Sequence, residues 1–423
     1  MKSKKAIWMM FTIAAVAGLS AGCSKTVIEK PKETVRQEHA ADSAGGMPVE
    51  HNSEVNTVIT PDLQINQLEE GLSTVRCDEN YGFDDFLKRG GASSDAEVID
   101  FLTSQLQMGD AGLEFGTNGF GCSTIAVKSP EGEALFGRNF DWEKSDAMVV
   151  ISNPNIPPNV GEGENYASIS TVNMDFIQTE MSGSGLARLF PPNAGEGDFP
   201  LSDNIRTMLA LYAPLDGMNE NGFAVSVNMI QDSAIINQDT DKPDITTTTA
   251  IRLLLNKAAD VDEALVLLRQ YDMHSSMGMM VHFALADKSG RSVVVEYINS
   301  ESPPHVRSAE SNEMVVTETP AVTNFYLSPG EKEGIGSTQS HTRYEILMNQ
   351  LTEQKTMGTE EVRDALDSVS KDNFGAAVSP PHTGSADNFE STEWSIVFNL
   401  DRGEARYYHR EDYENSYTFY VNE

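Results

Sequence analysis

The sequence predicts an α+β fold, and three observations carry that expectation. Short runs of alternating apolar and polar residues recur along the chain, in the pattern of half-buried strands. The helical patterns come in groups instead of falling between every pair of strands, which favours antiparallel sheets with segregated helices over an alternating parallel architecture. Hydrophobic residues make up 39% of the 423 positions and aromatics 8%, enough for a packed core. The 64 acidic against 30 basic side chains give a formal charge of −34. That excess argues against a nucleic-acid partner, which would need Lys and Arg to displace counterions from phosphates. Three cysteines, no two at ligand spacing, argue against a disulfide scaffold and a zinc site.

Met1 to Gly22 has the form of a signal peptide: Lys2, Lys4 and Lys5, then an apolar run from Ala6 to Leu19. The run ends Leu19-Ser20-Ala21-Gly22-Cys23, which resembles the bacterial lipobox whose cysteine is diacylated. Lipidation at Cys23 implies an extracytoplasmic protein anchored to the bacterial membrane or envelope, with residues 23–60 as a polar tether. Ser93-Ser94-Asp95 can cap a helix carrying Val98, Ile99, Leu102 and Leu106 on one face. That helix stops at Gly109-Asp110-Ala111-Gly112, and a second glycine-rich loop, Gly116 to Gly121, leads into Cys122. Further helices are expected at Thr249–Ala258, Asp260–Tyr271, His341–Glu353 and Thr359–Val369. Strands are expected at 223–230, 280–286, 292–298 and 394–400. Two near-repeats, Pro157 to Gly163 and Pro191 to Gly197, read as long loops, either solvated or shaping a substrate pocket around residues such as Leu186 and Leu189.

From Cys122 the chain reads as a strand, a turn at Ser129-Pro130-Glu131-Gly132, and a second strand through Phe136-Gly137-Arg138-Asn139-Phe140-Asp141-Trp142. A hairpin returns the end of its second strand to the start of its first. Arg138 and Asp141, sixteen and nineteen residues after Cys122, therefore come back to the cysteine. A thiol beside a guanidinium and a carboxylate has the makings of an activated nucleophile.

Cys122 followed by Gly-Arg-Asn-Phe-Asp-Trp at this spacing resembles the choloylglycine hydrolase family of linear amide C–N hydrolases. That family belongs to the N-terminal nucleophile (Ntn) hydrolases and includes bile salt hydrolases and penicillin V acylases, with penicillin acyltransferase and acid ceramidase as relatives. The similarity continues through Asp216-Gly217-Met218-Asn219-Glu220-Asn221-Gly222 and the strand ending at Asn228, then Val322-Thr323-Asn324, Ser340-His341-Thr342-Arg343-Tyr344, and the closing strands at 393–398 and 417–419. The blocks stand in order over roughly residues 120–420, and the long segment before Cys122 is closer to the acyltransferase and ceramidase side.

The resemblance implies an αββα sandwich of two antiparallel sheets between helical layers, with residues 122–423 as the catalytic domain and 61–121 as a propeptide or small chain. It implies autocatalytic cleavage between Gly121 and Cys122, after which the α-amine of Cys122, ordinarily titrating near pH ~8, serves as the base. Cys122 would be the nucleophile that forms a thioester, Asp141 the acceptor orienting its amine, and Arg138 the neighbour favouring the thiolate. Asn228 would donate to the oxyanion, and Asn324 and Arg343 would complete the polar network. No metal or organic cofactor is required. The implied substrate is a small N-acyl compound with a linear, non-peptide amide; the partners are that substrate and the membrane, and a homo-oligomer is compatible with the sequence. An acyltransferase on the same scaffold and a catalytically idle binding lipoprotein are the alternatives.

Taken singly, the residues have plainer readings. Cys77 and Cys122 could pair as a structural disulfide, Asp141 could be a turn residue, and Asn228 and Asn324 could be strand ends. Arg343, among Tyr344, Ile346, Leu347 and Leu351 at helical spacing, could serve a surface ion pair. His282 within Met279-Met280-Val281-His282-Phe283 reads as a satisfied core histidine, and Ser368-Val369-Ser370-Lys371 as a chance match to a Ser-x-x-Lys pattern.

Overall fold

The strands of the computed structural model are, in chain order, β1 (Val55–Val58), β2 (Asn66–Glu69), β3 (Leu72–Cys77), β4 (Leu113–Phe115), β5 (Gly121–Lys128), β6 (Ala134–Trp142), β7 (Ala147–Ser152), β8 (Ser168–Asn173), β9 (Ile177–Thr179) and β10 (Asp216–Asn219). They continue as β11 (Phe223–Met229), β12 (Asp244–Thr246), β13 (Asp272–His274), β14 (Val281–Asp287), β15 (Ser292–Asn299), β16 (Asn312–Glu318), β17 (Ala321–Val322), β18 (Ser391–Asn399), β19 (Glu404–His409) and β20 (Asn415–Tyr420). The helices are α1 (Phe83–Lys88), α2 (Asp95–Gln105), α3 (Asp203–Tyr212), α4 (Thr247–Lys257), α5 (Val261–Leu268), α6 (Thr338–Glu353), α7 (Thr359–Asp367) and α8 (Lys371–Ala377). The structure describes residues 54–106, 113–117, 119–143, 145–155, 165–179, 202–299, 312–377 and 391–422. The expected signal peptide, Cys23, most of the expected tether, Gly109–Gly112, both near-repeats, Leu186 and Leu189 lie outside these residues.

Two sheets form the body. One runs β1-β20-β19-β18-β6-β5-β17, the other β16-β15-β14-β11-β10-β8-β7-β3-β2. Helices α6, α7 and α8 pack on the outer face of the first sheet, and α3, α4 and α5 on the second. The inner faces meet where β5 approaches β11. The fold is α+β, layered helix–sheet–sheet–helix. Both sheets are mixed, a departure from the antiparallel expectation: β1 runs parallel to β20 and β3 parallel to β7. Both parallel strands come from the segment ahead of Cys122, and parallel neighbours need long crossovers. The link from β3 to β7 supplies one, carrying α1, α2 and the β5–β6 hairpin. Strand β1 (Val55–Val58) thus lies inside the stretch expected to be a tether.

Local chemistry sets the element ends. Ser94 caps α2 by accepting from Glu97 N at 3.4 Å, while Glu97 Oε2 accepts from Ser93 N at 2.7 Å. Asp260 caps α5, accepting from Glu263 N at 2.9 Å. Helix α6 starts at Thr338, ahead of the expected His341, because Ser337 accepts from Ser340 N at 3.1 Å and closes the first turn. Its buried Ser340, Arg343 and Leu347 recur at helical spacing and face the first sheet. A glycine at 137 lets α7 seat on β6: a Cβ there would lie 2.7 Å from Val362 Cγ1. Among the described residues no helix is long and apolar enough to cross a membrane.

Candidate active site

Strand periodicity divides the site into two faces of one hairpin. In the β5–β6 register, Cys122 pairs with Phe140, Thr124 with Arg138, and Gly121 with Asp141. Side chains at alternate positions share a face. Cys122, Phe140 and Arg138 therefore point between the sheets, whereas Ser123 and Asp141 point toward α6.

On the inner face, Arg138 Nη2 donates to Cys122 Sγ at 3.3 Å and to Val227 O at 3.0 Å, and the thiol reaches the same carbonyl at 3.7 Å. Arg138 Nη1 pairs with Asp216 Oδ2, a carboxylate oxygen that also accepts from Trp394 Nε1 at 3.1 Å. The guanidinium lies 5.3 Å from the Phe140 ring and 5.8 Å from the Trp394 ring, which stack on each other at 4.0 Å. Arg138 and Asp216 are fully buried, so the pair is desolvated and fixed in place. Burial pushes the Cys122 thiol up, to about 11, with the Arg138 charge opposing the rise. In this state it is a neutral thiol at physiological pH.

On the outer face, Arg343 Nη1 donates to Cys122 O and Ser123 Oγ, both at 2.8 Å, and to Asp141 Oδ2 at 3.0 Å. Its Nη2 donates to Asn324 Oδ1 at 2.8 Å. Thr392 Oγ1 donates to the other Asp141 oxygen at 2.7 Å. A bulge in β18 at Glu393 places Thr392 opposite Asp141 and Trp394 opposite Phe140, so residues two apart serve opposite faces. Cys122 N donates at 2.9 Å to Asn324 Oδ1, and Asn324 Nδ2 donates to Met229 O at 2.6 Å. Two donors on one end and a carbonyl at the other fix which way this amide points.

Asp141 was expected to orient the amine of a Cys122 freed by cleavage. In the uncut chain it is held by Arg343 and Thr392, and Asn324 accepts from the Cys122 peptide nitrogen. The physical reason is the alternation: Asp141 pairs with Gly121, one residue off the cysteine, and so faces the helical layer. Asn228 shares the inner face of β10 and β11 with Asp216 and Ser226. Its Oδ1 accepts from Ser226 Oγ at 3.4 Å, while its buried Nδ2 finds no acceptor among the described residues. Arg343 is buried, not a surface ion-pair residue, and Cys77 and Cys122 are both free thiols. His282 is a satisfied core residue, its ring nitrogens 2.9 Å from Glu296 Oε1 and 2.7 Å from Thr323 O. Through Thr323 it braces the backbone just before Asn324.

Asp216, Trp394, Ser123 and Thr392 join the site without having been singled out. Asp216 heads the block that ends in Asn228, and hairpin counting back from Asn228 would have put it on the same face. Among the described residues no cluster of His, Cys, Asp and Glu is arranged to hold a metal ion.

Comparison with known proteins gives one family. The model of linear amide C–N hydrolases, choloylglycine hydrolase family, matches residues 122–320. No curated protein sequence matches. Among solved structures, a mutant conjugated bile acid hydrolase from Clostridium perfringens is 16% identical with a TM-score of 0.43, covering 68% of this chain and 89% of its own. Penicillin V acylase from Agrobacterium tumefaciens is likewise 16% identical, with a TM-score of 0.41, covering 68% of this chain and 83% of its own. The family match begins at the very cysteine on which the buried network converges: residues 122–320 match the choloylglycine hydrolase family, the linear amide C–N hydrolases.

Proposed function

We propose that this chain is a cysteine Ntn hydrolase that cleaves linear amides of small N-acyl compounds. The observation that carries the proposal is the convergence of Arg138, Asn324 and Arg343 on the thiol, the nitrogen and the carbonyl of one residue, Cys122. A structural cysteine needs none of these contacts; a residue whose own amine and thiol both react needs all three.

The thiol of Cys122 attacks the Gly121 carbonyl carbon, the bond from that carbon to Cys122 N breaks, and the thiol proton ends on the freed amine. Water then hydrolyses the thioester, giving a Gly121 carboxylate and a chain that begins at Cys122. Substrate repeats the sequence. The thiol proton passes to the amine, sulfur bonds to the acyl carbon, the leaving amine takes the proton, and water activated by the α-amine releases the acid. A thiol that stays protonated at neutral pH needs such a base at hand. Asn324 Oδ1, already oriented by Arg343, aims the amine. Arg138 stabilises the developing thiolate. The unpaired Nδ2 of Asn228, buried and on the inner face, is the donor available to the oxyanion. Asp141 balances the Arg343 charge and holds it on the Cys122 backbone. Lipidation at Cys23 would tether this activity outside the cytoplasmic membrane.

The test is turnover of N-acyl amides by the purified chain, read as release of the free amine. The expected result is hydrolysis that requires Cys122. Binding without turnover across a panel of amides would overturn the proposal.

A further inference from the structure

Phe120 is the last side chain before the Gly121–Cys122 bond, and it is fully buried. Its ring centroid lies 5.4 Å from Phe140 and 5.8 Å from Phe176. Phe176 in turn lies 6.0 Å from Phe140 and 5.0 Å from Trp142. The Phe120 ring thus packs on Phe140, the cross-strand partner of Cys122, which places it on the same side of the hairpin as the thiol. The approach to this position is tightly guided. Strand β4 pairs with β9 immediately after Phe176. Gly119 has φ +103, and a Cβ on it would lie 2.9 Å from Met229 Sδ. The segment is threaded past the residue whose carbonyl anchors Asn324.

We infer that Phe120 occupies the acyl pocket. The segment ending Phe120-Gly121 is a covalently attached stand-in for the acyl half of the substrate. Its departure opens a site lined by Phe140, Phe176 and Trp142 that takes an apolar acyl group of medium length, ending in a ring or an alkyl terminus. This inference rests on the reading of Cys122 as an N-terminal nucleophile. In processing, the Gly121 carbonyl carbon becomes bonded to Cys122 Sγ; in turnover, the substrate's acyl carbon takes the same bond to the same sulfur. Two acyl groups joined to one sulfur in one crevice share the space beyond the carbonyl. From the Gly121 carbonyl carbon the path runs through Cα, N, the Phe120 carbonyl carbon, Cα and Cβ, so the ring begins about six bonds out. A 6-phenylhexanoyl group spans the same path. The rings around Phe120 offer apolar contact, and the nearby Arg138 is already committed to Asp216.

The test uses enzyme shown by mass to begin at Cys122, with N-acyl 4-nitroanilides carrying acetyl, hexanoyl and 6-phenylhexanoyl groups. The expected kcat/KM for 6-phenylhexanoyl exceeds that for acetyl by ~10- to 100-fold, in the range that filling an apolar pocket confers. A peptide ending Gly-Phe-Gly with a free carboxylate should inhibit competitively at least ~10-fold more tightly than one ending Gly-Ala-Gly. Phe176→Trp should lower the ratio of kcat/KM for 6-phenylhexanoyl to that for hexanoyl. Processed, active enzyme that treats the three acyl groups alike and ignores both peptides would overturn the inference while the proposed function stands. Failure to cleave before Cys122, or to turn over any of the amides, would instead overturn the proposed function and this inference with it.

Discussion

Replacing Arg343 with glutamine removes the group that ties the outer face of the site together. In the folded chain its guanidinium serves Cys122 O, Ser123 Oγ, Asp141 Oδ2 and Asn324 Oδ1, at 2.8 to 3.0 Å. The Arg343 and Asp141 side chains are only 3% and 1% exposed, so neither charge has water to fall back on. Arg343→Gln strands the carboxylate with the Thr392 hydroxyl as its one remaining named donor. Breaking a buried pair from one side costs ~3–5 kcal/mol, and a shorter amide recovers little of it. Against a typical domain stability of ~5–15 kcal/mol this is a large fraction. The assay is urea denaturation in a Cys122→Ala background, where cleavage does not complicate the equilibrium. Asp141→Asn should also destabilise, and the double variant should cost ~1–3 kcal/mol less than the sum, because each single change leaves the other member of the pair without its counter-charge and the double change leaves neither. A loss below ~1 kcal/mol for Arg343→Gln, or additive costs, would refute the reasoning that a charge pair holds this face.

Asn228→Leu, which keeps the branching and heavy-atom count of the side chain, should lower kcat by ~10²- to 10³-fold while leaving the stability from urea denaturation within ~1 kcal/mol of wild type. It removes the proposed oxyanion donor, an Nδ2 that has no hydrogen-bond partner among the described residues; steady-state kinetics beside denaturation checks both halves. The Cys122 thiol of the unprocessed chain should alkylate with iodoacetamide at a rate that keeps rising past pH 10, followed by the mass of the uncut species. Its folded value, about 11, stands above the ordinary 9.0, so the folded chain binds the thiol proton more tightly. The resulting stabilisation, ~2–3 kcal/mol, is fully present below pH ~9 and is lost as pH rises toward ~11. A plateau in alkylation near pH 8 would contradict the burial argument.

Much of the core and the site was legible in the sequence because both rest on short-range patterns. The turn at Ser129–Gly132 returned Arg138 to Cys122, because a strand–turn–strand pattern brings the end of its second strand to the start of its first. Caps at Ser94 and Asp260 placed two helix starts. What lay beyond reach was long-range or irregular. The β18 bulge at Glu393 brings Thr392 and Trp394 to opposite sides of the hairpin, and no local pattern announces it. The parallel pairing of β1 and β3 depends on where crossovers deliver strands, not on their composition. Asp141 was placed by spacing alone; which side of the strand it faces follows from its pairing with Gly121, one residue off the cysteine.

The most direct test of the central claim is the intact mass and N-terminal sequence of the purified chain beside Cys122→Ala. The account predicts a wild-type fragment that begins at Cys122 and a mutant that stays uncut between Gly121 and Cys122. A wild-type chain that remains intact through this bond, or a mutant cut there as readily as wild type, would contradict it.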